Sequence, residues 1–212
     1  MLDILAQTYP EAECALDHGS IYQLLVAVVL SAQTTDKSVN RVTPAFFAKY
    51  PDAGSLARAA LANEQAAIAE VSEFIRSIGM YRTKARNVVR LAVKLDAEYG
   101  GEVPQDFERL QELPGVGRKT ANVVLAVGFG ENRMPVDTHV LRVSHRIGLV
   151  SEEEAGLKDA LATEKALLSV IPEDRLTEAH HSLIFHGRNC CDARRPLCDE
   201  CPISKICKRH GV

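Results

Sequence analysis

Apolar side chains recur along this chain every three to four residues, the period of helices buried along one side. The densest stretch, Ile21–Ser31, is apolar on nearly every face and predicts a helix enclosed all round. Asn63 is placed to cap a helix carrying Ile68, Val71, Ile75 and Ile78, with Gly79 to stop it. Arg82–Tyr99 sets Val88, Leu91 and Leu95 on one stripe, closed by Gly100-Gly101. Pro104 and Asp106 open a short helix ending near Leu113, and Thr120–Val127 is small and apolar, suited to close packing. Asp137 reads as the cap of a helix through Ile147 that Gly148 ends, and Glu152–Val170 and Arg175–Gly187 predict two more. Alternation of period two is scarce and no segment reads as a strand, so the expected fold class is all-α, with roughly ten helices.

Composition narrows the function classes. The 212 residues suit one domain or two small lobes, and a hydrophobic fraction of 46% is enough for a real core. The longest apolar run, Ile21–Ala32, has 12 residues, short of the roughly 20 that span a bilayer, so no membrane is expected. The N-terminus carries Asp3 and Glu11 with no leading basic residues, unlike a signal or transit peptide. A cytoplasmic location follows. Aromatic residues make up 5% with no Trp, which argues against a base-stacking platform for single strands.

The formal charge of −3 does not announce a nucleic-acid binder, but it is unevenly spread. Phe74–Leu95 holds Arg76, Arg82, Lys84, Arg86, Arg90 and Lys94 and no acid, whereas Ser151–Lys165 is mostly acidic. A basic face on an acidic molecule and a merely solvated helix are both open.

Cysteine placement is sharper. Five of the six cysteines fall in the last 23 residues, where Cys191-x6-Cys198-x2-Cys201-x5-Cys207 sits on a loop broken by Pro196 and Pro202. Four thiolates so close imply a cation among them. Zinc usually takes two separated C-x2–4-C knuckles. The wider spacings here favour a cubane iron–sulfur cluster, with zinc as the alternative. Cys14 and Cys190 are left over, and counting alone does not say which of Cys190 and Cys191 binds.

Leu113-Pro114-Gly115-Val116-Gly117-Arg118-Lys119-Thr120-Ala121 lies between two helices. Pro114 stops the first, and the glycines free the backbone to turn and present N–H groups, a geometry that captures phosphate. The spacing is not that of a nucleotide P-loop, so a sequence-independent grip on a nucleic-acid backbone is the better reading, beside that of a plain αα-turn. Lys119 stands at the start of a helix, where the dipole disfavours positive charge; a nucleophilic lysine needs its pKa brought down from ~10.4 or a base beside it. Asp137, 18 residues on, is available for the second role. A phosphate contact and a plain N-cap are the blander readings of the two.

The hairpin Leu113–Ala121, the segment Val136-Asp137-Thr138-His139 and the 6-2-5 cysteine spacing together resemble the endonuclease III family of helix-hairpin-helix DNA glycosylases. Ser31-Ala32-Gln33-Thr34-Thr35-Asp36 is similar to its strand-wedge motif, and the likeness runs in order from about Ile21 to Cys207. The resemblance implies a bifunctional enzyme of base excision repair. It would excise oxidised pyrimidines from double-stranded DNA and cleave the abasic site by β-elimination through a lysine Schiff base. Lys119 would be the nucleophile and Asp137 its electrostatic and general-base partner. Gln33 would fill the hole left by the flipped nucleotide, and Gly115, Gly117, Arg118 and His139 would face the DNA. Met80 stands where the family often has a leucine wedge. A [4Fe–4S] cluster would sit on Cys191, Cys198, Cys201 and Cys207, with Cys190 spare. The implied lobes are residues 15–131, with six helices and the hairpin, and residues 1–14 with 132–212, carrying the cluster. The basic rim of Arg194, Arg195, Lys205, Lys208 and Arg209 is expected to meet phosphate. A monomer near the nucleoid of a prokaryote is expected.

Two alternatives accompany this reading. An adenine mismatch glycosylase shares the hairpin and cysteines but lacks the lysine and carries a further C-terminal domain. A non-catalytic helix-hairpin-helix protein with a structural metal site would leave Lys119 and Asp137 incidental.

Overall fold

The computed structural model describes residues 1–151 and 158–212. Its helices are α1 (Leu2–Thr8), α2 (Ile21–Leu30), α3 (Asp36–Lys49), α4 (Ala53–Ala62), α5 (Glu64–Phe74), α6 (Tyr81–Tyr99), α7 (Phe107–Gln111), α8 (Arg118–Val123), α9 (Thr138–Ile147), α10 (Ala160–Val170) and α11 (Leu176–Asn189). A π-helical turn, Val124–Gly128, extends α8, and a 3-10 turn, Glu173–Arg175, leads into α11. No strand occurs among the described residues. Two compact units result: Ala15–Gly130, and Met1–Cys14 with Glu131–Val212.

In the Ala15–Gly130 unit, Tyr22 and every residue from Leu24 to Leu30 are buried. A helix with no polar face must be enclosed, and α3, α6, α8 and the π-turn pack around α2. The π-turn comes so near that a Cβ on Gly128 would lie 3.1 Å from Ile21. The longest helix, α6, buries Ala85, Val88, Val89, Leu91, Ala92 and Leu95 and carries α4 and α5. Local chemistry sets the ends. Thr35, Asp52, Asn63 and Asp106 each accept a backbone N–H from the first turn of the helix they precede. Gly100 closes α6 at φ 61°, and the Gly101 N–H donates to the Leu95 carbonyl at 2.9 Å.

Three sequence expectations change here. The Asn63-capped helix ends at Phe74 rather than at Gly79, because a turn lets both Ile75 and Ile78 reach the core. The helix foreseen over Thr120–Val127 begins at Arg118 and widens into the π-turn from Val124. The basic run is not one continuous face. Arg76, Arg90 and Lys94 pair with Glu73, Glu64 and Glu98/Glu112, Arg82 lies over the Tyr81 ring, and Lys84 is buried.

In the other unit, α11 packs on both α9 and α1. Leu5, Val140, Val143, Ile147, Leu167, Leu176, Leu183 and Ile203 form its core. Gly148 ends α9 at φ 81°. Of the helix expected over Glu152–Val170, residues 152–157 lie outside the described residues; α10 starts at Ala160, with the Asp159 carboxylate accepting from Leu161 and Ala162. No helix among the described residues is long and apolar enough to cross a membrane.

Phe46 is fully buried, with its ring 5.4 Å from Phe47, 5.6 Å from Tyr50 and 6.2 Å from Phe74. Phe46→Ala is expected to cost about 3–5 kcal/mol, read as a lowered urea midpoint at unchanged slope.

Candidate active site and cysteine loop

The turn between α7 and α8 is built around two glycines that do different things. Gly115 has φ 83°, and a Cβ there would meet Asn87 at 3.0 Å and Val29 at 3.1 Å. Both conformation and space demand glycine. Gly117, the N-cap of α8, is extended at φ −97°, and a Cβ there would meet nothing within 4 Å. Between them Val116 is buried, and its N–H closes the turn on the Leu113 carbonyl at 3.0 Å. Arg118 sets its guanidinium 4.9 Å from the centre of the Phe107 ring, a cation–π contact that fixes its direction. Lys119 follows in the first turn of α8 and is exposed.

A second pair comes together in the same unit. Gln33 and Met80 are both exposed, and both hold left-handed backbone, at φ 52° and φ 55°. Their loops adjoin: a Cβ on Gly79 would lie 3.9 Å from the Gln33 carbonyl oxygen. Left-handed conformation in residues other than glycine is uncommon and clusters at functional sites.

Asp137 belongs to the other unit. Its Oδ1 accepts the N–H groups of His139 and Val140, both at 2.8 Å, and so caps α9. His139 is half-buried, with Nδ1 3.3 Å from Arg142 Nη2 and its Cβ against Gly187. Burial lowers its pKa, Arg142 and Arg188 act the same way, and Asp137 opposes them.

The cysteine loop is tied down from α9. Arg142 donates to the carbonyls of Gly187 (2.9 Å) and Cys191 (3.1 Å). Arg146 donates to those of Asp192 (2.6 Å) and Ala193 (2.8 Å) and lies 3.7 Å from Cys191 Sγ. Past the loop, the Lys208 N–H reaches the Ile147 carbonyl, and the Lys208 side chain occupies the space a Cβ on Gly148 would need. The thiols crowd together. Burial pushes the Cys190 thiol up to about 12, and Cys201, Cys191 and Cys198 add to it. Burial raises Cys207 as well, with Cys201, Cys191 and Cys198 again adding. Gathered thiolates are costly here unless a cationic group lies among them. The Arg209 backbone N–H donates to Cys207 Sγ at 3.3 Å, and His186 Nε2 lies 3.7 Å from Cys201 Sγ. The donor set therefore fits an iron–sulfur group. Among the described residues, Cys190 Sγ, Cys201 Sγ and a His186 ring nitrogen lie within 4.8 Å of one another, and the Cys190 thiol also donates to the Leu197 carbonyl at 3.7 Å.

Residues 26–173 match the HhH-GPD superfamily of base excision DNA repair proteins, and residues 191–207 match the iron-sulfur binding domain of endonuclease III. Endonuclease III of Bacillus subtilis (strain 168) is 44% identical over 207 residues, 98% of this chain and 90% of that protein. The Escherichia coli (strain K12) enzyme is 40% identical over 213 residues, 98% and 93% of the two chains. The chain belongs to the endonuclease III family. A solved structure of a trapped endonuclease III–DNA covalent intermediate, an estranged-adenine complex, superposes with a TM-score of 0.88 at 44% identity, over 98% of this chain and 92% of that one. As a member of the family the chain is a base excision repair enzyme, a DNA glycosylase with lyase activity, and its cofactor is a [4Fe–4S] cluster.

Sequence reasoning passed over Arg142 and Arg146, which hold the cysteine loop. Their signal is an i,i+4 pair of arginines on the helix that Asp137 caps. Of the expected rim, Arg194 and Arg195 are exposed and use their backbone N–H groups on the Asp192 carboxylate.

The contrast between the glycines has a direct consequence. Gly115→Ala is expected to destabilise the protein by about 1–2 kcal/mol from backbone conformation alone, with the close contacts adding to it. Gly117→Ala is expected to shift stability by under about 0.5 kcal/mol. Urea melts of the two variants measure this.

Proposed function

We propose that this protein removes oxidised or ring-saturated pyrimidines from duplex DNA and cuts the backbone 3′ of the resulting abasic site. The observation that carries the reading is Lys119, an exposed amine two residues after a glycine whose surroundings leave room for a ligand. The neutral Lys119 Nζ displaces the damaged base at C1′, its proton passing to the departing base; the C1′–O4′ bond then opens with O4′ taking a proton, giving an iminium. A proton is then taken from C2′, the 3′ phosphate departs, and water releases the lysine. Asp137 acts as the electrostatic and general-base partner. The amides of the Gly115–Gly117 turn and Arg118 take a phosphate, with His139 on the DNA-facing side. Gln33 fills the space of the flipped nucleotide and Met80 wedges into the opposite strand.

Cys191, Cys198, Cys201 and Cys207 hold the cluster, whose contribution when bound is to cross-link four points of the loop. This choice is supported by the iron-sulfur binding match, which spans residues 191–207 and so begins at Cys191. The protein acts as a monomer in the cytoplasm, at the nucleoid, on double-stranded DNA bearing damaged pyrimidines or abasic sites.

Borohydride reduction of the iminium gives a permanent protein–DNA link. Wild-type protein is expected to trap on abasic DNA; Lys119→Gln is expected to lose both trapping and nicking while keeping much of its affinity. Asp137→Asn should slow turnover by roughly a hundredfold or more yet spare binding, because Asn still caps α9. Trapping by Lys119→Gln at the wild-type rate would assign the chemistry to another amine. A wild type that binds but never nicks would be a non-catalytic DNA-binding protein.

Iron analysis tests the ligand set. The purified protein is expected to be yellow-brown with about four irons per chain. Cys198→Ser should lose iron and colour, whereas Cys190→Ser should keep both.

A further inference from the structure

Of the six basic residues between Phe74 and Leu95, Lys84 is the buried one, at 3% exposure. It stands in the first turn of α6, where its backbone N–H donates to the Met80 carbonyl at 3.0 Å. Its side chain runs the other way, and Nζ donates to Thr34 Oγ1 at 2.7 Å. Thr34 in turn is fixed to the end of α2, its N–H on the Ser31 carbonyl at 3.0 Å. The Lys84 side chain thus ties the helix that begins next to Met80 to the loop that bears Gln33. The two exposed residues so held have left-handed backbone, at φ 52° and φ 55°, which persists only where the surroundings impose it. The acceptor is a neutral hydroxyl rather than a carboxylate, and burial lowers the Lys84 pKa.

We propose that Lys84 is a positioning residue for base excision: through Thr34 and Met80 it sets the spacing and backbone conformation of Gln33 and Met80, so that the two enter the duplex as one rigid unit. The inference rests on the reading of Gln33 and Met80 as the residues that fill and wedge the duplex. It has a separable kinetic signature. Removing a paired base from the stack needs the two side chains, whereas cleaving a preformed abasic site has no base to displace.

The test is single-turnover kinetics of the full-length holoenzyme on a damaged-pyrimidine duplex and, in parallel, on a preformed abasic duplex. Lys84→Met and the isosteric Thr34→Val are each expected to slow excision roughly ten- to a hundredfold, as misplacement of an aligned group does, and to change abasic-site cleavage by less than about twofold. Thr34→Ser, which retains the acceptor oxygen, should restore excision. In a Gln33→Ala background, Lys84→Met should add little further loss, since both act through one group. Should Lys84→Met fail to fold, Thr34→Val and Thr34→Ser carry the test. If Gln33→Ala slows excision but Thr34→Val and Lys84→Met do not, the positioning role is wrong and the reading of Gln33 stands. Equal losses on both substrates would make Lys84 a structural residue only. If Gln33→Ala itself leaves excision unchanged, the underlying reading fails and the inference with it.

Discussion

A helix without a polar face has no stable position except inside other helices, and the arrangement of the Ala15–Gly130 unit follows from that constraint on α2. Each large aliphatic side chain it buries is worth about 1.5–3 kcal/mol relative to exposure. The enclosure also sets the site. At its C-terminal end α2 must return to the surface, and the loop that does so presents Gln33. On its flank, Val29 lies where a Cβ on Gly115 would come within 3.1 Å, so the hairpin seats directly against α2. One buried element therefore registers the loop that bears Gln33 and the turn that bears Lys119. Neither could shift without opening the core.

What was legible in the sequence was the chemistry that acts over one turn of chain. Asn63, Asp106 and Asp137 cap the helices expected of them, and Gly100 and Gly148 end theirs, because a cap needs only its own first or last turn. The α3 and α4 helices went unread. Pro44 interrupts the pattern of the first, and the second is largely alanine, which carries little amphipathic signal. The end of α5 was misplaced because the burial of Ile75 and Ile78 was taken for helical continuity, when a turn buries them as well. Burial of Lys84 could not be read at all: a lysine among arginines looks solvated until Thr34, 50 residues away, is placed beside it. Likewise spacing along the chain could not show that Cys190 and Cys201 lie beside His186, which sits on α11.

The cysteine loop shows how charge is used where a hydrophobic core is thin. Arg142 and Arg146 meet backbone carbonyls rather than carboxylates, so each cation satisfies several acceptors and keeps its charge for the sulfur-rich surroundings. Asp137, which begins the same helix, anchors its N-terminal end with two amide bonds. The helix that carries the proposed general base is therefore the one that secures the loop. A disturbance of the loop would be felt at Asp137 through the backbone of a single ten-residue element.

The pairing of α1 with α11 brings together helices about 170 residues apart in sequence. During synthesis on the ribosome, Leu2–Thr8 is made well before Leu176–Asn189, the helix it packs on, and the whole of Ala15–Gly130 is made between them. The early helix thus waits, unsheltered, through the birth of most of the polypeptide. Closing so long a loop adds entropic cost only slowly with length, so the delay is a matter of timing more than of final stability. The iron-sulfur binding segment, residues 191–207, is made later still, so the unit that holds it completes only after most of the polypeptide has been synthesised.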